Sequence, residues 1–316
     1  MNKQQLRISA RNQSRWHLKQ EIKWHPHVKK ALDANVDAFI KYAKDNSIPA
    51  AVAIIDTLID MKPVAEVLHA LYRGVGLERA RQVRNSLTGQ MRKSDDFTQF
   101  ILDAMSQFFF NLGITYSVMS IIATQRKRIL AFILQHFNRE LTDEQLNDVL
   151  NNPNFIREAL QREPVSRSEE DKILLDLRVE ASDRGLPAIV RTEVTRALNY
   201  GAYTAAKWLP FQIRKIWLSL HDLRTRRAHN SSPWDHWEPL GQTVDLEDPF
   251  VVSGELLMYP GDPSGSKQNV IGCRCGQEFV AVKDDRGRVI MKPTEPTGIT
   301  VIRPGGISNI TGIITI

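Results

Sequence analysis

The chain has 316 residues, a formal net charge of +6, 42% hydrophobic and 25% charged residues, and two cysteines. That is enough for one large or two modest domains with cores of their own, and no apolar run approaches the roughly 18–20 residues of a membrane span. Cys273 and Cys275, one residue apart, exclude a disulfide framework and suit reduced thiols or metal ligands.

Residues 1–30 hold eight Lys/Arg against a single acid, Glu21, so the rest of the chain is close to neutral. No apolar h-region follows the basic start, so no signal peptide is expected and the chain should stay in a cytoplasm or in something assembled there. A basic arm is expected here. Lys3, Arg7, Arg11, Arg15, Lys19 and Lys23 are its candidate contacts to DNA phosphates or an acidic protein surface. A solvated, flexible terminus is the plainer alternative.

From residue 26 to 162 the pattern is almost all helical. Val28, Leu32, Val36, Phe39 and Ile40 recur at helical spacing. Ser47-Ile-Pro49 breaks that helix and starts another, and Lys62-Pro63 makes the next break. The run 75–93 is polar and punctuated by Gly74, Gly76 and Gly89. Asp96 to about Asn138 reads as a long helical stretch interrupted at Gly113. Thr142-Asp-Glu-Gln145 is a capping-box pattern opening a helix through Leu150, and Gln161–Ser168 reads as a linker.

A helix is expected over Ser168–Asp183. Another runs from Pro187 to about Trp208, carrying a polar stripe of Glu193, Arg196, Asn199 and Tyr200. Glu193 and Arg196 are either an intrahelical pair worth a few tenths of a kcal/mol or part of a network facing the arginine segment beyond. After Pro210 the periodicity becomes that of strands: Ile213–Leu220, Phe250–Val252 and Leu256–Tyr259 around Ser253-Gly254, then Glu278–Val282 with Val289–Met291 as its hairpin partner. The last 25 residues alternate Gly/Pro with Ile/Val/Thr and read as an extended tail that docks on a partner. The expected fold is α+β: a basic arm (1–30), a helical region (31–162), a compact domain of helices and a small antiparallel sheet (163–285), and the tail (286–316).

Three constellations could carry chemistry. His229, Cys273 and Cys275 offer zinc three of its four preferred ligands, with Asp222, His221, His236 or water as the fourth. C-x-C is a weaker metal signature than C-x-x-C, and buried inert thiols are the rival reading. Asp222-Leu-Arg224-Thr-Arg226-Arg227 can build a fixed ion-pair network or present guanidinium forks to phosphate. His221, Asp222, His229, Asp235 and His236 could form a metal-dependent nuclease site, although their spacing matches no recognised nuclease. No Walker loop, G-x-G-x-x-G, G-x-S-x-G or H-E-x-x-H occurs.

The order of the motifs is more specific than any one of them. R-T-E-V-T-R-A-L-N-Y-G (Arg191–Gly201) precedes W-L-S-L-H-D-L-R-T-R-R-A-H (Trp217–His229). D-P-F (Asp248–Phe250), Y-P-G-D-P (Tyr259–Pro263) and C-R-C (Cys273–Cys275) follow. Over about residues 185–280 this resembles the head morphogenesis domain of tailed bacteriophages, the phage Mu protein F-like minor head proteins.

The resemblance implies a non-enzymatic minor capsid protein, made in the host cytoplasm and carried inside the virion. Its implied partners are the portal protein, the capsid interior and double-stranded DNA, with no membrane and no small-molecule substrate, and its role lies in head assembly and genome packaging or delivery. Asp222, Arg224, Thr225, Arg226 and His229 match the family's D-x-R-T-R-x-x-H pattern. Some relatives carry C-x-x-C where Arg226 and His229 stand, and Gly272 replaces a usual Asn before C-R-C. One structural zinc is the expected cofactor. A phage-associated metal-dependent nuclease or toxin-like domain is the alternative.

Overall fold

The computed structural model describes residues 2–89, 95–110, 113–136, 142, 166–183, 185–228 and 232–293. Helix α1 spans Lys3–Asp45 and opens on a reciprocal cap: Asn2 accepts from the Gln5 amide while the Gln5 side chain accepts from the Asn2 amide. Short helices α2 (Ile48–Ala53, capped by Ser47) and α3 (Ile55–Leu58) lead to α4 (Lys62–Thr88). Helices α5 (Asp95–Phe110), α6 (Gly113–His136), α7 (Arg167–Ser182) and α8 (Leu186–Trp208) complete the long helices among the described residues. A one-turn helix, α9 (Lys267–Val270), sits between the strands. The α+β reading holds.

The basic arm is not a separate element. Residues 3–30 form the first half of α1, and the boundary expected at residue 30 falls inside that helix. Leu6 and Ala10 bury themselves against Ile216 and Leu218 of the sheet. Ser9 donates to Glu278 at 2.6 Å, and the Gln13 amide donates to the Gln277 carbonyl at 2.8 Å. Lys3, Arg7, Arg11, Arg15, Lys19 and Lys23, spaced four apart, are all exposed.

The boundary at 162/163 lies outside the described residues, and described residues on both sides of it share a core. One core joins Val28, Val36 and Phe39 of α1, Leu68 and Leu71 of α4, Ile129 and Ile133 of α6, Leu177 of α7, and Val190, Val194 and Leu198 of α8. Helix α8 is buried on nearly every side, which is why its sequence is small and apolar apart from one stripe. Gly76 does not weaken α4 to a stop. It lets α8 cross closely, since a Cβ on Gly201 would lie 2.3 Å from the Gly76 carbonyl oxygen.

Strands β1 (Ile213–Leu218), β2 (Thr243–Asp245) and β5 (Gly276–Ala281) form an antiparallel sheet in the order β2-β1-β5. In register, Arg214 faces Asp245 on one side and Val280 on the other. Both faces of β1 are covered, Ile216 and Leu218 by α1 and Trp217 by Phe250 and the cysteines, so it reads as an apolar run. Strands β3 (Phe250–Val252) and β4 (Glu255–Leu257) form a separate hairpin. Its two turn residues, Ser253 and Gly254, both have positive φ (52° and 80°), as a type I′ turn requires.

The expected Val289–Met291 hairpin is reduced to two bridges, Lys283 with Val289 and Phe211 with Met291. The Thr142–Leu150 helix, apart from Thr142, lies outside the described residues, as do most of the Gln161–Ser168 linker and the tail from residue 294. Among the described residues no helix is long and apolar enough to cross a membrane.

Candidate metal centre

Beyond β1 the chain turns at Asp222, whose carboxylate accepts from the Arg224 amide at 3.0 Å and the Thr225 hydroxyl at 2.9 Å. The Arg226 carbonyl then accepts from the His236 amide at 2.9 Å. Asp235 fixes the backbone on either side of the imidazole, taking the Trp237 amide at 2.6 Å and the Ala228 amide at 3.2 Å. His236 is thereby held over the edge of Trp217, with ring centroids 6.2 Å apart at 87°.

The C-R-C segment arrives from the other side, after α9. Its two cysteines face one way and its arginine the other, the alternation of an extended chain. Cys273 Sγ lies 3.6 Å and Cys275 Sγ 3.4 Å from His236 Nδ1, and the three ligand atoms lie within 4.8 Å of one another. Zinc bond lengths and a tetrahedral angle require an N···S separation of about 3.5 Å. Both N···S distances are compatible with that separation. Among the described residues this is the group that could hold a metal ion.

The surroundings of the three donors fit that use. With Nδ1 facing two sulfurs, Nε2 carries the proton and donates to Asn269 Oδ1 at 3.1 Å. Asn269 is oriented in turn by donating to the Val252 carbonyl at 3.2 Å. A ligating histidine generally has such a partner on its other nitrogen.

The cysteines share charge unequally. A hydrogen bond from Cys275 holds the Cys273 thiol well below its ordinary range, against its burial and with help from His236. The same bond, with burial, pushes Cys275 up. Burial alone would lower the His236 pKa, but the Cys273 thiolate beside it raises it. The buried indole N–H of Trp217 has no partner of ordinary geometry, and it favours the thiolate of Cys275. A divalent cation would take both thiolates and release the remaining proton.

Helix α8 clamps the backbone of this segment. Thr192 Oγ1 accepts from the Gly272 amide at 2.8 Å. Thr195 donates to the Cys273 carbonyl at 2.8 Å, and Asn199 to the Cys275 carbonyl at 3.2 Å. These residues stand three and four apart, one stripe of the helix. Cys273, His236 and Asn269 also follow the order of a Cys-His-Asn nucleophilic relay. The amides of Gly272, Cys273 and Cys275 are already bound, however, to Thr192, Val270 and Cys273 Sγ, so they form no oxyanion hole. The relay also leaves the second cysteine without a part, whereas chelation uses both.

The residues expected from sequence separate into distinct groups. Cys273 and Cys275 are in the site, and His229 lies outside the described residues. His236, one of the candidates for a fourth ligand, faces both sulfurs. Asp222 does not: its carboxylate is bound to Arg274 at 2.7 Å. Arg224 contributes its amide to that turn and leaves its side chain exposed, while Arg226 donates to the carbonyls of Asn269 (3.5 Å) and Ile271.

Glu193 and Arg196 form a buried pair at 3.2 Å, only 3% and 5% exposed. They bind Tyr72, Ser117 and the Gly261 carbonyl, not the arginine segment. The polar stripe of α8 does reach the C-R-C backbone, but through Thr192, Thr195 and Asn199. Of the residues in the alternative nuclease constellation, the described ones do not gather into one metal-binding group. Asp222 and Asp235 are committed to the contacts above, and His221 stacks on Trp237 at 4.3 Å.

Asn269 and the two threonines were not singled out from sequence. Trp234-Asp-His-Trp237 held a usable signal, an imidazole between two aromatics after a capping aspartate. No family model matches the chain, and no curated protein or solved structure matches it either.

Proposed function

We propose that the chain is a minor head protein of a tailed bacteriophage, lodged inside the virion, contacting the portal and genome and acting in head assembly and DNA packaging or delivery. One observation carries this reading. The five motifs whose order carries the resemblance are linked to one another by contacts in space, two of them directly to the C-R-C segment. The α8 motif supplies Thr192, Thr195 and Asn199, and the D-x-R-T turn supplies Asp222 against Arg274. D-P-F supplies Phe250 against Trp217, and Y-P-G-D-P supplies the Gly261 carbonyl to Arg196. Motifs that fold into one brace are expected of a shared structural module.

Within that module His236, Cys273 and Cys275 hold one structural zinc that locks the loop after β1 to the start of β5. The exposed cations of α1 supply the contact to DNA phosphates or an acidic capsid surface. Ile8, Leu18 and Ile22 are exposed among them and favour a protein partner on that face.

The test is co-expression of the tagged chain with the portal protein of the same genome. The reading expects a complex that co-elutes from a sizing column. Failure to co-elute, together with metal-dependent DNA cleavage lost in His236→Ala, favours the nuclease alternative.

A further inference from the structure

We infer that the metal centre keeps one coordination position for an oxygen atom of an oxyanion of the phosphate class, received through a mouth of arginines. The inference rests on the reading of His236, Cys273 and Cys275 as a metal site. Those three donors line one small cleft together with Arg224, Thr225, Arg226 and Arg274.

The size of the cleft limits what enters. Its volume is about 20 Å³, and a single water needs about 10–15 Å³ on the same measure. An ion and one ligand atom fill it, so a ligand must present one atom first and keep its bulk outside. A monodentate phosphate oxygen does this.

Charge selects the sign of the ligand. Two thiolates neutralise a divalent cation, so the inner part of the site carries no net charge. Of the three guanidiniums at the mouth, Arg274 is bound to Asp222 and also lies within electrostatic reach of Glu21. Arg226 is held by the uncharged carbonyls of Asn269 and Ile271. Arg224 is exposed, and no acceptor among the described residues takes its guanidinium. The charges of Arg226, held in place, and Arg224, exposed, therefore remain for an incoming anion, and guanidinium forks match phosphate geometry. A purely structural zinc site is closed by four protein ligands, whereas one that exchanges ligands keeps a position open.

The test uses the full chain loaded with cobalt(II) in place of zinc and titrated with inorganic phosphate, then with a 5′-phosphorylated oligonucleotide. Sulfur-to-cobalt absorption reports the metal site by itself. The inference expects a saturable shift of the cobalt visible bands with phosphate. In Arg224→Met, an exposed change that leaves the fold alone, phosphate binding should weaken about tenfold. A shift by the oligonucleotide at lower concentration identifies nucleic acid as the source of the phosphate, and equal potency identifies the free ion.

Cobalt bands that ignore both ligands, or an Arg224→Met affinity equal to the parent's, overturn the inference while leaving the metal site standing. Absence of sulfur-to-cobalt absorption removes the metal site and the inference together.

Discussion

Arg274 donates through Nη2 to Asp222 at 2.7 Å, which turns the middle residue of C-R-C away from the imidazole that its two neighbours face. Burial alone would raise the Asp222 pKa. The Arg274 and Thr225 hydrogen bonds outweigh it and hold the carboxyl below its ordinary value of 3.8. A depressed carboxyl stabilises the fold above its unfolded pKa, and that contribution is lost as pH falls below about 3.8. Asp222 is 41% exposed, so a double-mutant cycle of Asp222→Asn with Arg274→Met is expected to return only about 1 kcal/mol at pH 7. Urea denaturation at pH 7 and pH 3 checks it. A coupling that does not shrink at pH 3 would contradict the assignment.

The Glu193–Arg196 pair should behave quite differently. Spaced three apart on a helix, it reads as a surface pair worth a few tenths of a kcal/mol. In the structure it is buried, and Tyr72 donates to Glu193 at 2.7 Å. Removing one partner leaves an uncompensated buried charge, so Glu193→Gln should cost about 3–5 kcal/mol. Tyr72→Phe, which removes one hydrogen bond, should cost about 1–3 kcal/mol. Equilibrium unfolding of both variants tests the order, and a cost under 1 kcal/mol for Glu193→Gln would place the pair in solvent.

Three glycines in the helices should respond in three ways. Gly201→Ala drives a methyl into the backbone of Gly76 at 2.3–2.8 Å, which neither helix can yield without separating. Gly76→Ala meets the Met105 thioether, the movable end of a flexible side chain, and should cost less. Gly74→Ala meets only Trp24 at 3.4 Å and should stabilise by up to about 1 kcal/mol through helix propensity. Melting temperatures in the order Gly74→Ala, parent, Gly76→Ala, Gly201→Ala are expected.

His17 supplies a pH dependence. Its ring is buried on the inner face of α1, and Nδ1 has no hydrogen-bond partner. Burial, then the charges of Arg79 and Arg274, depress its pKa from 6.5 to about 3. A depressed group contributes its stability above the unfolded pKa, so the fold should weaken as pH falls from 6.5 toward 3, by about 1.4 kcal/mol per unit. Comparing urea midpoints at pH 7.5 and 5.5 should show that loss in the parent and a smaller one in His17→Leu, where His69 and His236 still titrate. An equal pH response in both would show that His17 is not the group responsible.

The helices from α2 onward were largely legible, because their breaks are local: Ser47, Lys62-Pro63, Gly113 and Gly185-Leu-Pro187 act within a turn of where they stand. The start of α1 was not. Its inward stripe is thin, with Leu6 and Ala10 followed by the polar His17 and Gln20, and its exposed charges dominate the composition. β2 was missed because three residues at a sheet edge leave no periodicity.

At the site, the cysteines could be read from their rarity. The histidine was legible only as one of several candidates, His221, His229 and His236, and among the described ones only the fold brings His236 to the sulfurs. Asn269, Thr192 and Thr195 act through backbone and ring nitrogens of residues distant in sequence, contacts that no local pattern encodes.

In the proposed metal centre, His236 with Cys273 and Cys275 would hold an ion that ties the loop after β1 to the sheet. The most direct measurement is the zinc content of purified, folded protein by elemental analysis, for the parent and for His236→Ala. The account expects one zinc per chain in the parent and none in His236→Ala. A parent without zinc, or a His236→Ala protein that keeps it in full, would contradict the account.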